Sequence, residues 1–220
     1  MKRIMNSIHR SDLRICFVGD SFVNGTGDPE YLGWTGRICV NANQKGYDIT
    51  HYNLGIRRDT STDIAKRWLQ EVSVRLPKDA YGRVVFSFGL NDTTIENGKT
   101  RVDLIDSIRN ARKILTEAKQ LYPVLMIGPA PYAEPEDPQR KKRISDLSKQ
   151  FASVCQELNI PYLDIFPILE KSTIWSDEAI GNDGVHPNAG GYREFARIVE
   201  NWNAWLSWFP YNLIDQPKLG

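Results

Sequence analysis

The sequence predicts a three-layer α/β/α sandwich, in which one parallel β-sheet lies between two layers of helices. Short runs of apolar and β-branched residues alternate along the chain with longer segments of helical periodicity, which is the pattern of such a sheet. No stretch rich in proline, glycine and serine separates two regions of different composition, and no internal repeat occurs. We therefore predict a single domain over residues 13–210, with a polar N-terminal tail at 1–12 and a C-terminal tail at 211–220.

The predicted strands are short and apolar, and they cover residues 13–18, 47–52, 83–88, 124–127 and 162–164. Segments with helical periodicity lie between and after them, and these cover residues 31–44, 62–74, 102–121, 140–158 and about 188–206. In an open α/β sheet, ligands bind outside the carboxyl ends of the strands. We therefore look for a functional site in the segments that directly follow the strands.

Composition narrows the class of protein. The chain has 220 residues, with 28 Lys and Arg against 27 Asp and Glu, and this balance argues against a nucleic-acid-binding protein, which usually has a strongly basic face. The 3 cysteines are scattered, so they suggest neither a disulfide framework nor a zinc site. No apolar run approaches the ~20 residues of a membrane-spanning helix. Because the N-terminus also lacks the apolar core of a signal peptide, we expect a cytoplasmic protein. The scattered cysteines and the lack of a complete phosphate-binding or dinucleotide-binding glycine motif predict no metal or other cofactor.

Three polar segments follow the first three predicted strands. Ser21 stands on a tight strand-to-helix turn, where unpaired N–H groups point outward, although serine is also a common helix N-cap. Gly55 follows the second strand, where it either lets another group approach the backbone or is a plain turn glycine. Asn91 follows the third strand and brings an amide to the same edge, although Asn-Asp is common turn chemistry. Each segment taken alone favours the structural interpretation.

A fourth segment contains a candidate base, because the chain has only 3 histidines. His9 lies in the polar N-terminal tail, and His51 lies within the second predicted strand, where its side chain packs on a sheet face. His186 follows Asp183 by three residues in a loop bounded by glycine and proline, so the carboxylate can fix the imidazole tautomer. A loop histidine is more often a surface residue, but elimination and this spacing favour His186 as the base.

These segments together match the needs of nucleophilic catalysis, which are a hydroxyl, a base, a group that orients the base, and donors for the oxyanion. Ser21, His186 and Asp183 supply the first three. The backbone N–H of Gly55 and the side-chain amide of Asn91 supply the donors. The sequence therefore predicts a serine hydrolase that acts on a small acyl ester. The alternative from another class is a non-catalytic flavodoxin-like binding or scaffold domain that keeps these residues for structure.

Four motifs also carry a family resemblance, and they stand in the order Gly19-Asp20-Ser21, Gly55, Gly89-x-Asn91-Asp92 and Asp183-x-x-His186-Pro187. In this order they resemble the GDSL lipase/esterase family, also called the SGNH hydrolases. The residue after the serine is usually leucine in that family and is Phe22 here, a hydrophobic replacement that should not affect the chemistry.

The resemblance implies an SGNH hydrolase fold, with a flavodoxin-like five-stranded parallel sheet of strand order 2-1-3-4-5. It further implies that Ser21 is the nucleophile, His186 the base and Asp183 its partner. Ser21, Gly55 and Asn91 would then form the oxyanion hole, and the hydrolase would be metal-independent. The substrate stays open among short-chain acyl esters, acetylated sugars, thioesters and lysophospholipids.

The last predicted helix has an apolar face, formed by Tyr192, Phe195, Ile198, Val199, Trp202, Trp205 and Trp208. We expect this face to pack on the sheet behind the histidine loop. The alternative is a contact between copies of the chain through Trp205, Trp208 and Phe209, because exposed aromatic patches tend to mark interfaces.

Overall fold

One parallel sheet organises the described residues, which are 12–132 and 138–209 of this computed structural model. Its strands are β1 (Leu13–Gly19), β2 (Ile49–Gly55), β3 (Tyr81–Ser87), β6 (Val124–Ile127) and β7 (Tyr162–Leu163), in the order β2-β1-β3-β6-β7. The remaining described strands, β4 (Ile95–Glu96) and β5 (Lys99–Thr100), form a separate antiparallel hairpin. Counted within the main sheet alone, the order is 2-1-3-4-5, which confirms the expected topology.

The described helices are α1 (Ser21–Asn24), α2 (Gly33–Gln44), α3 (Ser61–Ser73), α4 (Leu104–Leu121), α5 (Pro138–Leu158), α6 (Phe166–Leu169), α7 (Thr173–Gly181), α8 (Ala189–Glu200) and α9 (Asn203–Leu206). A 3₁₀ turn spans Asn91–Thr93. No helix within the described ranges is both long enough and apolar enough to cross a membrane.

The sheet is buried on both faces, because side chains alternate along each strand. From β1, Ile15 and Phe17 enter a core shared with α2 and α8, while Cys16 and Val18 enter a second core shared with α3 and α4. This arrangement confirms the predicted three-layer sandwich. It also aligns the carboxyl ends of β1, β2 and β3 at one edge of the sheet.

Several boundaries differ from the sequence prediction, and two of the differences have identifiable reasons. β2 runs three residues further than predicted, to Gly55, because it pairs with β1 as far as the register Gly19↔Gly55. The chain at 188–206 forms two helices instead of one, because Trp202 is extended, with ψ of 122°. Beyond this break, the ring centroids of Trp205 and Phe209 lie 4.8 Å apart.

The C-terminal aromatic residues belong to the core of the domain. Trp205 is 3% exposed and Phe209 is 8% exposed, and Trp208 packs against the same core. The structure therefore favours packing on the sheet and gives no support to an oligomer contact through these rings. His51 lies on β2 as predicted, with its ring centroid 5.2 Å from that of Phe17. His9 and most of the predicted tails lie outside the described residues.

Candidate active site

The serine stands at the end of β1 on a turn that the neighbouring residues hold. Asp20 is the N-cap of α1, and its carboxylate accepts the Phe22 N–H at 3.0 Å. Gly19 leaves no room for a side chain, because a Cβ there would lie 2.0 Å from the Ser87 carbonyl oxygen. Since Asp20 takes the capping role, the Ser21 hydroxyl is left for another partner. The sequence had left serine itself as a candidate N-cap.

The hydroxyl of Ser21 meets the imidazole of His186, although 165 positions separate them in the chain. Ser21 Oγ lies 2.7 Å from His186 Nε2, and His186 Nδ1 lies 2.7 Å from Asp183 Oδ2. A carboxylate can only accept, so Nδ1 carries the proton and donates it to Asp183. Nε2 is then unprotonated and accepts the Ser21 O–H.

The loop around His186 is held by its own side chains. Asp183 Oδ1 accepts the backbone N–H groups of Val185 at 3.0 Å and His186 at 2.8 Å, while Asn182 Nδ2 donates to the His186 carbonyl at 3.0 Å. Both oxygens of the Asp183 carboxylate therefore position the histidine, one through the ring and one through the backbone. The spacing of three residues predicted from the sequence makes both contacts feasible.

The environment keeps His186 neutral and Asp183 charged. Burial, in part under the Phe22 ring at 5.1 Å, lowers the pKa of His186 more than the contact with Asp183 raises it. The nearby charge of Arg57 lowers this pKa further. Burial opposes the charge on Asp183, yet the hydrogen bonds from His186 and Val185 leave the pKa of that carboxyl below its usual value. Both shifts favour a neutral imidazole, which can accept a proton, beside an ionised carboxylate.

Asn91 begins the 3₁₀ turn after β3, and two contacts fix this turn against the loop after β2. Asn91 Nδ2 donates to the Asp59 carbonyl at 3.0 Å. Asp92, 1% exposed, accepts the backbone N–H of Ser61 at 2.7 Å. An amide nitrogen has two hydrogens, so the bond to Asp59 orients the group and leaves the second hydrogen for another acceptor.

Gly55 allows the close approach of another group to the backbone, which was one of its two interpretations from the sequence. A Cβ at Gly55 would lie 2.2 Å from the Asn24 backbone nitrogen, so only glycine lets α1 approach β2 this closely. Its N–H donates to Asn53 Oδ1 at 3.0 Å, while Asn53 Nδ2 donates to the Val23 carbonyl at 2.7 Å. The N–H predicted as an oxyanion donor is thus already hydrogen-bonded in this structure.

A turn directly after Gly55 presents a different backbone donor. The Asp59 N–H bonds to the Ile56 carbonyl at 3.3 Å, and Arg58, the third residue of this turn, has φ of +69°, as a type II turn requires. The Arg58 carbonyl accepts from Arg101 Nη1 at 2.8 Å. Within the described part of the chain, no hydrogen bond engages the Arg58 N–H or the Ser21 N–H.

No group of three or more His, Cys, Asp or Glu side chains in residues 12–132 and 138–209 is arranged to hold a metal ion. The sheet order and the helices on both of its faces are those of the SGNH hydrolase fold. The chain belongs to the GDSL-like Lipase/Acylhydrolase family, whose sequence model matches residues 17–194. It is thus a member of a family of esterases.

Individual relatives agree with this assignment. The chain is 26% identical over 170 residues to a GDSL esterase/lipase, CPRD49, of Arabidopsis thaliana, and the match covers 66% of each protein, just under two thirds. A lipase/acylhydrolase from Enterococcus faecalis has a TM-score of 0.72 and 24% identity, over 86% of this chain and 93% of that one. Axe2, an acetylxylan esterase from Geobacillus stearothermophilus, has a TM-score of 0.71 and 21% identity, over 94% and 98%. At these identities the two solved structures support the fold.

Proposed function

We propose that this protein is a metal-independent carboxylic ester hydrolase with a Ser21-His186-Asp183 triad. One observation carries the proposal, namely the continuous chain of contacts from Ser21 Oγ through the imidazole to Asp183 Oδ2, with both distances 2.7 Å. The orientation of the ring and the low pKa of His186 support it, because a base must be neutral to accept a proton.

The reaction proceeds through an acyl-enzyme. Ser21 Oγ attacks the ester carbonyl carbon while His186 Nε2 takes the hydroxyl proton, and Asp183 stabilises the imidazolium that forms. The tetrahedral intermediate collapses, the C–O bond to the alcohol breaks, and His186 returns the proton to the leaving oxygen. A water molecule then gives its proton to His186 and attacks the acyl-serine, which releases the acid and restores Ser21.

The oxyanion needs donors that are free before the reaction begins. The second Nδ2 hydrogen of Asn91 and the backbone N–H of Ser21 meet this condition. For the third donor we propose the Arg58 N–H in place of the Gly55 N–H, because the latter already donates to Asn53. Arg58 also lies next to Asp59, whose carbonyl orients the Asn91 amide.

The proposal is tested by measuring ester hydrolysis and probe labelling in a Ser21 variant. Ser21→Ala should abolish p-nitrophenyl acetate hydrolysis and labelling by a fluorophosphonate probe, while the thermal unfolding curve stays that of the wild type. Loss of a triad residue can lower the rate by ~10⁴ to 10⁶. Activity should also survive exhaustive treatment with EDTA. Wild-type turnover in Ser21→Ala would refute the assignment, and absence of labelling in the folded wild-type protein would favour a binding or scaffold domain.

A further inference from the structure

A polar cavity lies beside the triad and is used by none of the steps above. Its volume is about 470 Å³, and it is lined by residues 24–28 together with Tyr31, Asn53 and Arg57. Residues 24–28 directly continue the helix that carries Ser21. A Cβ on Gly27 would lie 3.0 Å from His186 Cβ, so one wall of the cavity packs against the catalytic histidine. Pockets of this size accept small-molecule ligands.

The charge in this cavity is unbalanced. Asp28 is the one carboxylate of its lining, and its side chain is fully buried in an ion pair with Arg37. Arg57 is exposed, and no ion pair or hydrogen bond engages its guanidinium within the part of the chain that the structure describes. The cavity therefore presents an unneutralised positive charge to a ligand.

A rigid loop holds an aromatic ring at the edge of the cavity. Tyr31 is 92% exposed and has φ of +57°, a conformation that is rare for a bulky residue. The loop winds around the Asp28 carboxylate, which accepts the backbone N–H groups of Glu30 at 3.1 Å, Leu32 at 3.2 Å and Gly33 at 2.8 Å. Backbone strain held by surrounding structure concentrates at functional sites, and an exposed ring on such a loop offers a flat surface for stacking.

We propose that this cavity binds the alcohol part of the ester and selects a ring-shaped alcohol that carries an anionic group. Arg57 binds the anion, and Tyr31 stacks on the ring. The inference rests on the proposed hydrolysis at Ser21, because the cavity is lined by the end of the helix that carries Ser21 and by Gly27, which packs against His186. It adds to that function the type of alcohol that leaves, namely a ring-shaped alcohol with a negative charge.

The test uses two substrates of equal size, 4-acetoxybenzoate and 4-acetoxybenzamide, which differ in the negative charge on the ring. At pH 8, where His186 is neutral, Arg57→Gln should lower kcat/KM for the benzoate on the order of 5-fold and leave the benzamide unchanged. Arg109→Gln is the matched control, because it removes an equal charge from an exposed arginine that pairs with Asp106 on α4. An unchanged benzoate-to-benzamide ratio in Arg57→Gln would overturn the proposal.

The ring contact is tested separately. Tyr31→Ala should raise KM for both aromatic esters about 3- to 10-fold, Tyr31→Phe should restore it, and neither variant should affect ethyl acetate, whose alcohol has no ring. Equal effects on ethyl acetate would overturn the stacking role. Failure of the proposed hydrolysis is distinguishable from both results, because either the wild type would then hydrolyse none of these esters or Ser21→Ala would hydrolyse all of them at the wild-type rate.

A second set of contacts independently points to a positioning residue. The Arg67 side chain on α3 is 15% exposed, and it reaches Asp59 Oδ2 at 2.6 Å, Glu71 Oε2 at 2.8 Å and the Gly19 carbonyl at 2.9 Å. Gly19 is the last residue before the Asp20-Ser21 turn, and the Asp59 carbonyl orients the Asn91 amide. One guanidinium therefore joins the segment that carries the nucleophile to the segment that orients an oxyanion donor.

We infer that Arg67 positions the Asn91 amide relative to Ser21. Arg67→Lys should lower kcat on the order of 10-fold with little change in KM, because the ammonium cannot span the planar, forked contacts of arginine. Glu71→Gln is the control, since it removes the ion pair within α3 and keeps the contacts to Asp59 and Gly19. Its kcat should equal that of the wild type.

A double-mutant cycle separates positioning from general stability. In an Asn91→Ala background the amide is absent, so Arg67→Lys should lower kcat by about 2-fold or less. A purely structural role would lower kcat by the same factor in both backgrounds. Equal factors, or a wild-type kcat in folded Arg67→Lys, would therefore overturn the inference.

Discussion

Replacing Asp183 by asparagine should change the tautomer of His186 and leave the other contacts of the loop in place. In the wild type, Asp183 Oδ1 accepts two backbone N–H groups and Oδ2 accepts the imidazole N–H. An asparagine that keeps the two backbone contacts through Oδ1 turns its NH₂ group toward Nδ1. That nitrogen must then accept, so the proton moves to Nε2, which can no longer accept the Ser21 hydroxyl proton.

The expected loss follows from this geometry. The comparable asparagine substitution in a serine protease triad costs ~10⁴ in kcat, a reference value for a fully buried aspartate. The Asp183 side chain is 42% exposed, so water can screen and partly replace it. We therefore expect a loss of ~10² to 10⁴ in kcat at pH 8. Asp183→Ala should also lose the two backbone contacts, at about 1 kcal/mol each in the free energy of unfolding.

The assay is p-nitrophenyl acetate hydrolysis, run beside urea denaturation of the wild type and both variants. Asp183→Asn should show this loss of kcat at unchanged stability, whereas Asp183→Ala should lose activity and also be less stable. If Asp183→Asn kept kcat within about threefold of the wild type, the imidazole would not depend on this carboxylate, and the triad reasoning would be refuted.

Three further predictions concern the same edge of the sheet. Asn91→Ala should lower kcat by ~10² to 10³ with KM unchanged, and an unchanged kcat would remove Asn91 from the oxyanion hole. The pH profile of kcat/KM should fall on the acid side with a midpoint below 6.5, because burial and Arg57 lower the pKa of His186. In Arg57→Gln that midpoint should move to higher pH; a midpoint that stays fixed would contradict the electrostatic assignment. Gly55→Ala should lower both the melting temperature and kcat, because its Cβ would lie 2.2 Å from the backbone nitrogen of Asn24 on α1. Gly181→Ala is its control, since a Cβ there meets nothing within 4 Å, and equal behaviour of the two variants would show that close packing at Gly55 does not matter.

Sequence reasoning was most successful where one local pattern decides the structure. Alternation of apolar strands and amphipathic helices predicted the sandwich, and β6 begins and ends where the pattern placed it, at Val124–Ile127. The spacing of Asp183 and His186 predicted their contact for the same reason, since three residues in a short loop leave few other arrangements. The predicted ends of strands and helices were less accurate. The extension of β2 depends on its partner strand, and the break at Trp202 depends on how the core packs.

Side-chain roles at the site depended on contacts between distant segments. A motif containing Gly55 does not show that Asn53 engages its N–H, nor that α1 requires the missing Cβ. Arg67 lies in an ordinary amphipathic helix, so no local pattern marks it as the contact between Gly19 and Asp59. Tyr31 is also unremarkable in the sequence, and only its exposure and positive φ identify it.

The sequence by itself determined the layered α/β/α class, and it pointed to the carboxyl edge of the sheet and to His186, among three histidines, for the proposed active site. These follow from local periodicity and from residue types that few other roles require. The tertiary structure decided which donors remain free, which charges are neutralised and which segments are joined by Arg67. Those properties depend on distances between residues far apart in the chain, and such distances exist only once the hydrophobic cores on both faces of the sheet have brought the segments together.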